Sequence, residues 1–151
     1  MVDIKLNLDE ANLRFDLLVE DYDLQTTDDI ETAVFISLFT DRRARADDRL
    51  PGTPVDTEDR RGWWGDLVDE RPLDEIGSHL WLLEREVNVT ETIARAQTYA
   101  KEAVDWLIKD GLAKSIDVKA SAFDSKTLLI EIILWKNNGD RIPLSYEYAW
   151  R

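Results

Sequence analysis

The run from Thr127 to Trp135 constrains this chain most. Leu128, Ile130, Ile132 and Leu134 fall on one side of a two-residue period, and Leu129, Glu131, Ile133 and Trp135 on the other. Only an extended strand separates residues that way, and β-branched side chains favour it. Asn137-Asn138-Gly139-Asp140 then supplies turn residues able to take positive φ, so the chain should reverse as a hairpin. Ile142, Leu144, Tyr146, Tyr148 and Trp150 alternate on the return. Pro143 has no amide hydrogen, which places this last strand at an edge. Ile116 and Val118 mark a further short strand upstream. The apolar face of such a sheet needs a cover. Thr90 to Asp110 provides one: Ile93, Ala96, Ala100, Ala103, Val104 and Leu107 form a continuous helical stripe, Thr90 is a plausible N-cap, and Gly111 suits a left-handed end. The small alanines would let the helix lie close on the sheet.

The first half is less regular. Ile4, Leu6 and Leu8 alternate, as do Leu13, Phe15, Leu17 and Val19, with turn residues at Asp9-Glu10-Ala11-Asn12 between them; this reads as an N-terminal β-hairpin. Asp21 to Thr27 reads as a polar loop. Asp28 offers an N-cap with Glu31 three residues on, and Ile30, Ala33, Val34, Ser37 and Leu38 follow at helical spacing. Ala33 to Phe39 is apolar on nearly every face, so this helix is expected to be buried on more than one side. Thr40 to Asp59 carries Pro51-Gly52-Thr53-Pro54 and reads as a long loop. Leu73 to Glu86 reads as a short helix with Ile76, Leu80 and Leu83 on one stripe, weakened by Gly77. The expected class is α+β in a single domain over 1–151: an N-terminal β-hairpin, two to three helices, and a C-terminal antiparallel sheet packed on a long helix.

Charge narrows the range of functions. Nineteen lysines and arginines stand against 32 aspartates and glutamates, a net charge of −13. That sign repels phosphate backbones and anionic lipid, which argues against nucleic acid and membrane surfaces as partners. There is no cysteine, so disulfides, thiolate zinc sites and cysteine nucleophiles are excluded. No basic-then-apolar leader opens the sequence, and no apolar run approaches the ~20 residues of a membrane helix.

The loop after the first helix ends in Arg60-Arg61-Gly62-Trp63-Trp64-Gly65-Asp66. Adjacent indoles cannot both face one core, so at least one of Trp63 and Trp64 meets something else. One reading is a loop stapled down by two indoles. The other is an aromatic and arginine anchor for a partner protein, the composition of binding hot spots. The partner-interface candidates are Arg42, Arg43, Arg60, Arg61, Trp63, Trp64 and Asp66, with Pro143, Tyr146 and Tyr148 on the C-terminal edge strand. A search for chemistry yields less. His79 is the only histidine and cannot alone anchor a zinc site. Asp21-x-Asp23 lacks the rest of a calcium loop. Acidic pairs such as Asp47-Asp48 and Asp74-Glu75 are what any chain this acidic contains. Gly77-Ser78-His79 is no nucleophile elbow, and no glycine-rich phosphate loop occurs. No catalytic residue, metal ligand, cofactor site or small-molecule substrate is assigned.

Four segments together resemble the Mu-type phage baseplate wedge protein family, found in prophage tails. They are Asp28-Asp29-Ile30-Glu31-Thr32-Ala33-Val34 with Ser37 to Arg43, the double-tryptophan stretch, Gly77-Ser78-His79-Leu80-Trp81-Leu82-Leu83, and the Ala96 to Leu107 helix. More distantly the chain resembles the wedge and sheath-initiator proteins of T-even phages. The resemblance implies a structural α+β protein in the virion tail baseplate, assembled in the bacterial host cytoplasm. It would be held by other wedge proteins and offer a platform to the tail sheath, whose subunits exchange strands. In the T-even relatives a Glu-Pro-Arg motif follows the long helix. Here Lys109-Asp110-Gly111-Leu112-Ala113-Lys114 stands instead, so no role carries over from it. Two other readings stay open: a lysozyme-like carboxylate-pair hydrolase, and a soluble regulatory adaptor.

Overall fold

A computed structural model describes residues 2–4, 6–9, 14–17, 19–20, 23–24, 26–52, 59–67, 75–84, 89–124 and 126–149, with side chains considered from Ile30 onward. The chain separates into two compact units, 1–36 and 37–151.

The first unit holds six short strands. β2 (Leu6–Asp9) and β3 (Arg14–Leu17) pair antiparallel with Leu6 opposite Leu17 and Leu8 opposite Phe15, the expected hairpin. Its turn at 10–12 lies outside the described residues. Ile4 departs from the expectation. It belongs to β1 (Val2–Ile4), which pairs with β6 (Thr26–Asp28) across Ile4 and Thr26. The segment expected as a polar loop therefore contains β6, and also β5 (Asp23–Leu24), which pairs with β4 (Val19–Glu20). Backbone pairing there does not need an apolar face, which is the signal that alternation reads. α1 (Asp29–Phe39) starts directly after Asp28, as the capping pattern predicts. Ile30 and Val34 are buried in its first part.

The second unit is a three-stranded antiparallel sheet with one helix across it. The strand order is β7 (Ser115–Ala122), β8 (Thr127–Trp135), β9 (Arg141–Ala149). β7 is longer than the two-residue signal at Ile116 and Val118 suggested, because it continues through Ala120 as the small partner of Ile130. Leu128, Ile130, Ile132 and Leu134 are completely buried, and Ile116, Ala120 and Leu144 flank them on the same face. α2 (Val89–Val104) packs on β7 and β8 through Ala96, Ala100, Ala103 and Val104, all buried. It begins one residue before Thr90, so Thr90 lies inside the first turn and is not the cap. The helical path pauses at Asp105, whose backbone stays right-handed, and resumes as α3 (Trp106–Lys109) with Leu107 fully buried. Gly111 ends it at φ +73°. Its N–H donates to the Ile108 carbonyl (3.1 Å) and the Leu112 N–H to the Leu107 carbonyl (2.9 Å), the two bonds of a Schellman end.

Hydrogen-bond phase explains Pro143. In the β8–β9 turn Lys136 N–H donates to the Asp140 carbonyl and Gly139 N–H, at φ +95°, to that of Lys136. Counting outward from that pair, Leu134–Ile142 and Ile132–Leu144 are the bonded pairs of the ladder. Pro143, opposite Ile133, falls between them, where its missing N–H would point to the free edge. It costs the ladder nothing, and β9 is the edge the sequence predicted. β7 forms the other edge, and there the Ala120 N–H donates to the side-chain Oε1 of Gln97 on α2 at 3.5 Å.

Ile132 lies at the centre of the covered face with no exposure. Ile132→Ala is expected to destabilise the protein by about 2–5 kcal/mol in urea unfolding. A loss below ~1 kcal/mol would show that this face is not the core.

Candidate interaction site

Residues expected to form one irregular loop and one short helix make a backbone lattice in the second unit. Segment 40–46 runs between two others. On one side Ser78 N–H donates to the Thr40 carbonyl and Arg42 N–H to the Ser78 carbonyl, both at 2.9 Å, forming a parallel bridge between Asp41 and Ser78. On the other side Ala44 N–H donates to the Arg60 carbonyl at 2.9 Å. The expected helix at 73–86 is thus reduced to a single 3-10 turn, Leu80–Leu83, while Leu73, Asp74, Arg85 and Glu86 lie outside the described residues. Gly77 is the reason. It sits at φ +98°, and a Cβ there would come within 2.4 Å of the Thr40 carbonyl oxygen, so the backbone turns away to meet segment 40–42 instead of continuing a helix. Ser78 fixes the turn through its hydroxyl, which donates to the Leu38 carbonyl (2.6 Å) and accepts from Leu80 N–H (3.3 Å).

The 3-10 turn is wholly buried and carries the anchor. Trp81 packs with Ala44 and Leu82, with Leu50 and Tyr99 at the margin, and its indole N–H donates to the Arg42 carbonyl at 2.8 Å. His79 is also buried. Its Nε2 lies 3.2 Å from the Arg43 carbonyl, which can only accept, so that nitrogen carries the proton. Its Nδ1 lies 3.9 Å from Glu102. His79 is a cross-brace between the loop and α2.

Three of the four candidate arginines are engaged by the chain itself. Arg61 sits at φ +48°, an unusual value for a side-chain-bearing residue. Its guanidinium lies 4.5 Å from the Trp81 ring centre and pairs with Asp41 (2.9 Å) and Glu84 (3.1 Å). Burial works to lower its pKa, but bonds and charges from Glu84 and Asp41 outweigh that and hold it above its ordinary value. Arg42 pairs with the Glu75 carboxylate (3.1 Å) and donates to its carbonyl (2.8 Å). Arg60 donates to the carbonyls of Arg45 and Ala46. Arg43 differs: it is exposed, and its one hydrogen bond is a long 3.4 Å contact to the Arg61 carbonyl.

Both tryptophans stand outside the core, where adjacency required this of at least one. Trp63 is 47% exposed and Trp64 72%, with ring centres 5.6 Å apart. Trp63 folds over Gly65, where a Cβ would come within 2.2 Å of the indole. Trp64 opens a second 3-10 turn, Trp64–Leu67. Asp66 turns inward, accepting from Ile76 N–H at 3.4 Å.

On the edge strand the candidates divide. Pro143 is exposed on the outer face. Tyr146 and Tyr148 stand on the inner face, in register with Ile130 and Leu128, with the Phe39 ring 5.7 and 6.2 Å away. Both are half-buried there. Burial, followed by the Glu84 and Asp41 carboxylates and opposed by Arg61, pushes the Tyr148 phenol well above its ordinary pKa. Sequence reasoning did not find Glu84, Glu75 or Asp41 as arginine partners; nothing in their spacing announces pairs 20 to 33 residues apart. Among the described residues no group of three or more histidines, aspartates and glutamates is placed to hold a metal ion, and no helix is long and apolar enough to cross a membrane.

Two outcomes are expected. Gly77→Ala and Gly111→Ala both force alanine into positive φ, but only Gly77 has a backbone atom in the way; nothing lies within 4 Å of a Cβ at Gly111. Gly111→Ala should cost about 1 kcal/mol and Gly77→Ala clearly more in thermal unfolding; equal losses would overturn the close-packed lattice. Tyr148 binds its proton more tightly folded than unfolded, so its contribution to stability is complete below about pH 10 and declines as pH rises further. Tyr148→Phe should flatten the loss of stability above pH 10, and an unchanged slope would place the phenol in solvent.

Residues 30–141 match the family model described as Phage protein GP46. Over 140 residues the chain is 42% identical to "Baseplate protein gp46" of Escherichia phage Mu, covering 93% of this chain and 92% of that protein. It is 35% identical over 135 residues to "Mu-like prophage FluMu protein gp46" of Haemophilus influenzae, covering 89% of each. The lattice, both tryptophan motifs, β7 and β8 fall within the span of the family model, and the chain belongs to the GP46 family of phage proteins.

Proposed function

We propose that this chain is a structural component of a phage tail baseplate, of the contractile type, that works by protein–protein contact. The observation that carries the reading is its likeness over nine-tenths of its length to a protein named for the Mu baseplate. The structure adds two surfaces suited to assembly. One is the exposed Trp63–Trp64 pair on a braced loop. The other is the free edge of β9, where the backbone groups of Arg141, Ser145, Glu147 and Ala149 face outward in the ladder's phase. In the finer reading the loop seats the domain among wedge neighbours. The β9 edge takes a strand from the first sheath ring by main-chain pairing. Pro143 lacks the donor such a ladder needs, so an added strand would run along Ser145 to Ala149 and stop short of it.

Quantitative mass spectrometry of purified tails tests the first part. The chain should be present at the same molar amount as established wedge proteins, and its absence would overturn the baseplate reading. Deleting its gene tests the second part: tails without ordered sheath are expected, and normally sheathed tails from the deletion would overturn the sheath contact.

A further inference from the structure

The charged groups around the double-tryptophan loop largely engage one another. The chain carries −13 overall. Around the loop Asp41 and Glu84 are occupied by Arg61, Glu75 by Arg42, and Asp66 is turned inward on Ile76 N–H. Asp59 accepts from Arg61 N–H at 2.9 Å. Arg42, Arg60 and Arg61 are occupied too, whereas Arg49 is exposed without a partner among the described residues and Arg43 lies against the turn that leads into the indoles. Arg43 has no carboxylate partner among the described residues, and its side chain is exposed. Its backbone abuts Gly62, where a Cβ would come within 2.6 Å of the Arg43 Cβ, and Trp63 follows directly. An exposed arginine with one long hydrogen bond is therefore rooted against the turn that carries two exposed indoles.

From this juxtaposition we infer that Arg43, Trp63 and Trp64 form one docking surface for a partner protein segment that presents a carboxylate next to an apolar or aromatic side chain. The inference rests on the baseplate reading and specifies the partner's chemistry. Arg42, Arg60 and Arg61 take no part, since moving any of them to a partner would break an internal contact. Charge complementarity chooses the occupant. A second copy of so acidic a chain is repelled at long range, whereas a single unpaired guanidinium recruits one carboxylate and the indoles supply apolar area.

The test uses intact tails assembled with wild-type and variant chains in competition, their ratio read by mass spectrometry. Arg43→Glu is expected to lose to wild type by about tenfold or more, Arg43→Lys by far less, and Trp64→Ala to lose as Arg43→Glu does. All three side chains project from the fold, so melting temperatures should match wild type; Arg43→Lys preserves the comparison where charge reversal disturbs the loop. With p-benzoyl-phenylalanine at position 64, irradiated tails should yield a cross-link to an acid-bearing segment of another tail protein. Reversing that acid to lysine should restore Arg43→Glu. Equal incorporation of Arg43→Glu, or cross-links to a second copy of this chain or to a segment without an acid, would overturn the surface while leaving the baseplate reading intact. Absence of the wild-type chain from tails would instead remove the baseplate reading, and this inference with it.

Discussion

The site depends on one close approach, the Gly77 backbone against the Thr40 carbonyl. A side chain at 77 would occupy the space that the carbonyl fills. Because glycine leaves it open, Ser78 can trade two backbone bonds with segment 40–42. Everything displayed above follows from that junction. Segment 40–44 is held straight enough for Ala44 to receive the Arg60 turn, and Trp81 is aimed at the Arg42 carbonyl. Net hydrogen-bond contributions of about 0.5–1.5 kcal/mol each do not make such a lattice by themselves. Burial of Leu80, Trp81, Leu82 and Leu83 beneath it supplies the larger part, and the bonds decide which arrangement that burial selects.

Arg61 shows how the electrostatics serve the same end. Its pairs with Asp41 and Glu84 involve groups between a third and a half exposed, so solvent screens them and their contribution to stability is small. Their value is geometric. A residue at φ +48° is held there because its guanidinium is fixed at three points: Asp41, Glu84 and the face of Trp81. That turn is what sends Gly62 and Trp63 outward. The unusual backbone and the internal ion pairs are therefore one device, and the exposed indoles are its result.

Much of the fold was legible in the sequence, for a physical reason that also sets the limit. Period two in Leu128 to Leu134 and period near four in Ala96 to Leu107 reflect burial on one face, and burial is local information. Gly111 and Gly139 were legible because a left-handed turn is a property of one residue. The helix expected at 73–86 failed on Gly77, whose importance lies not in its own propensity but in an atom 37 positions away. The arginine cluster was legible as composition and illegible as function. Four arginines near two tryptophans suggested a cationic surface, but Glu75 and Glu84 lie far along the chain from the residues they engage, and pairing at that distance leaves no pattern. For Tyr146 and Tyr148 the limit is simpler: alternation says that they share a face with Leu144 but not that this face is the covered one.

An exposed indole on a flexible loop must lose its freedom on binding, and each immobilised side chain costs about 0.5–1.5 kcal/mol, with the loop backbone in addition. Here that ordering has already happened within the monomer. Trp63 lies against Gly65, the turn at Arg61 is fixed, and Ala44 ties the segment to its neighbour. What remains open is the area of the two rings and the charge of Arg43. The internal engagement of three arginines thus strengthens the case for a contact surface, because it braces the turn and leaves Arg43 beside it without a carboxylate among the described residues. A partner that offers one acid beside an apolar side chain meets Arg43 and the two indoles together, whereas a strongly acidic partner would be repelled by the rest of the molecule.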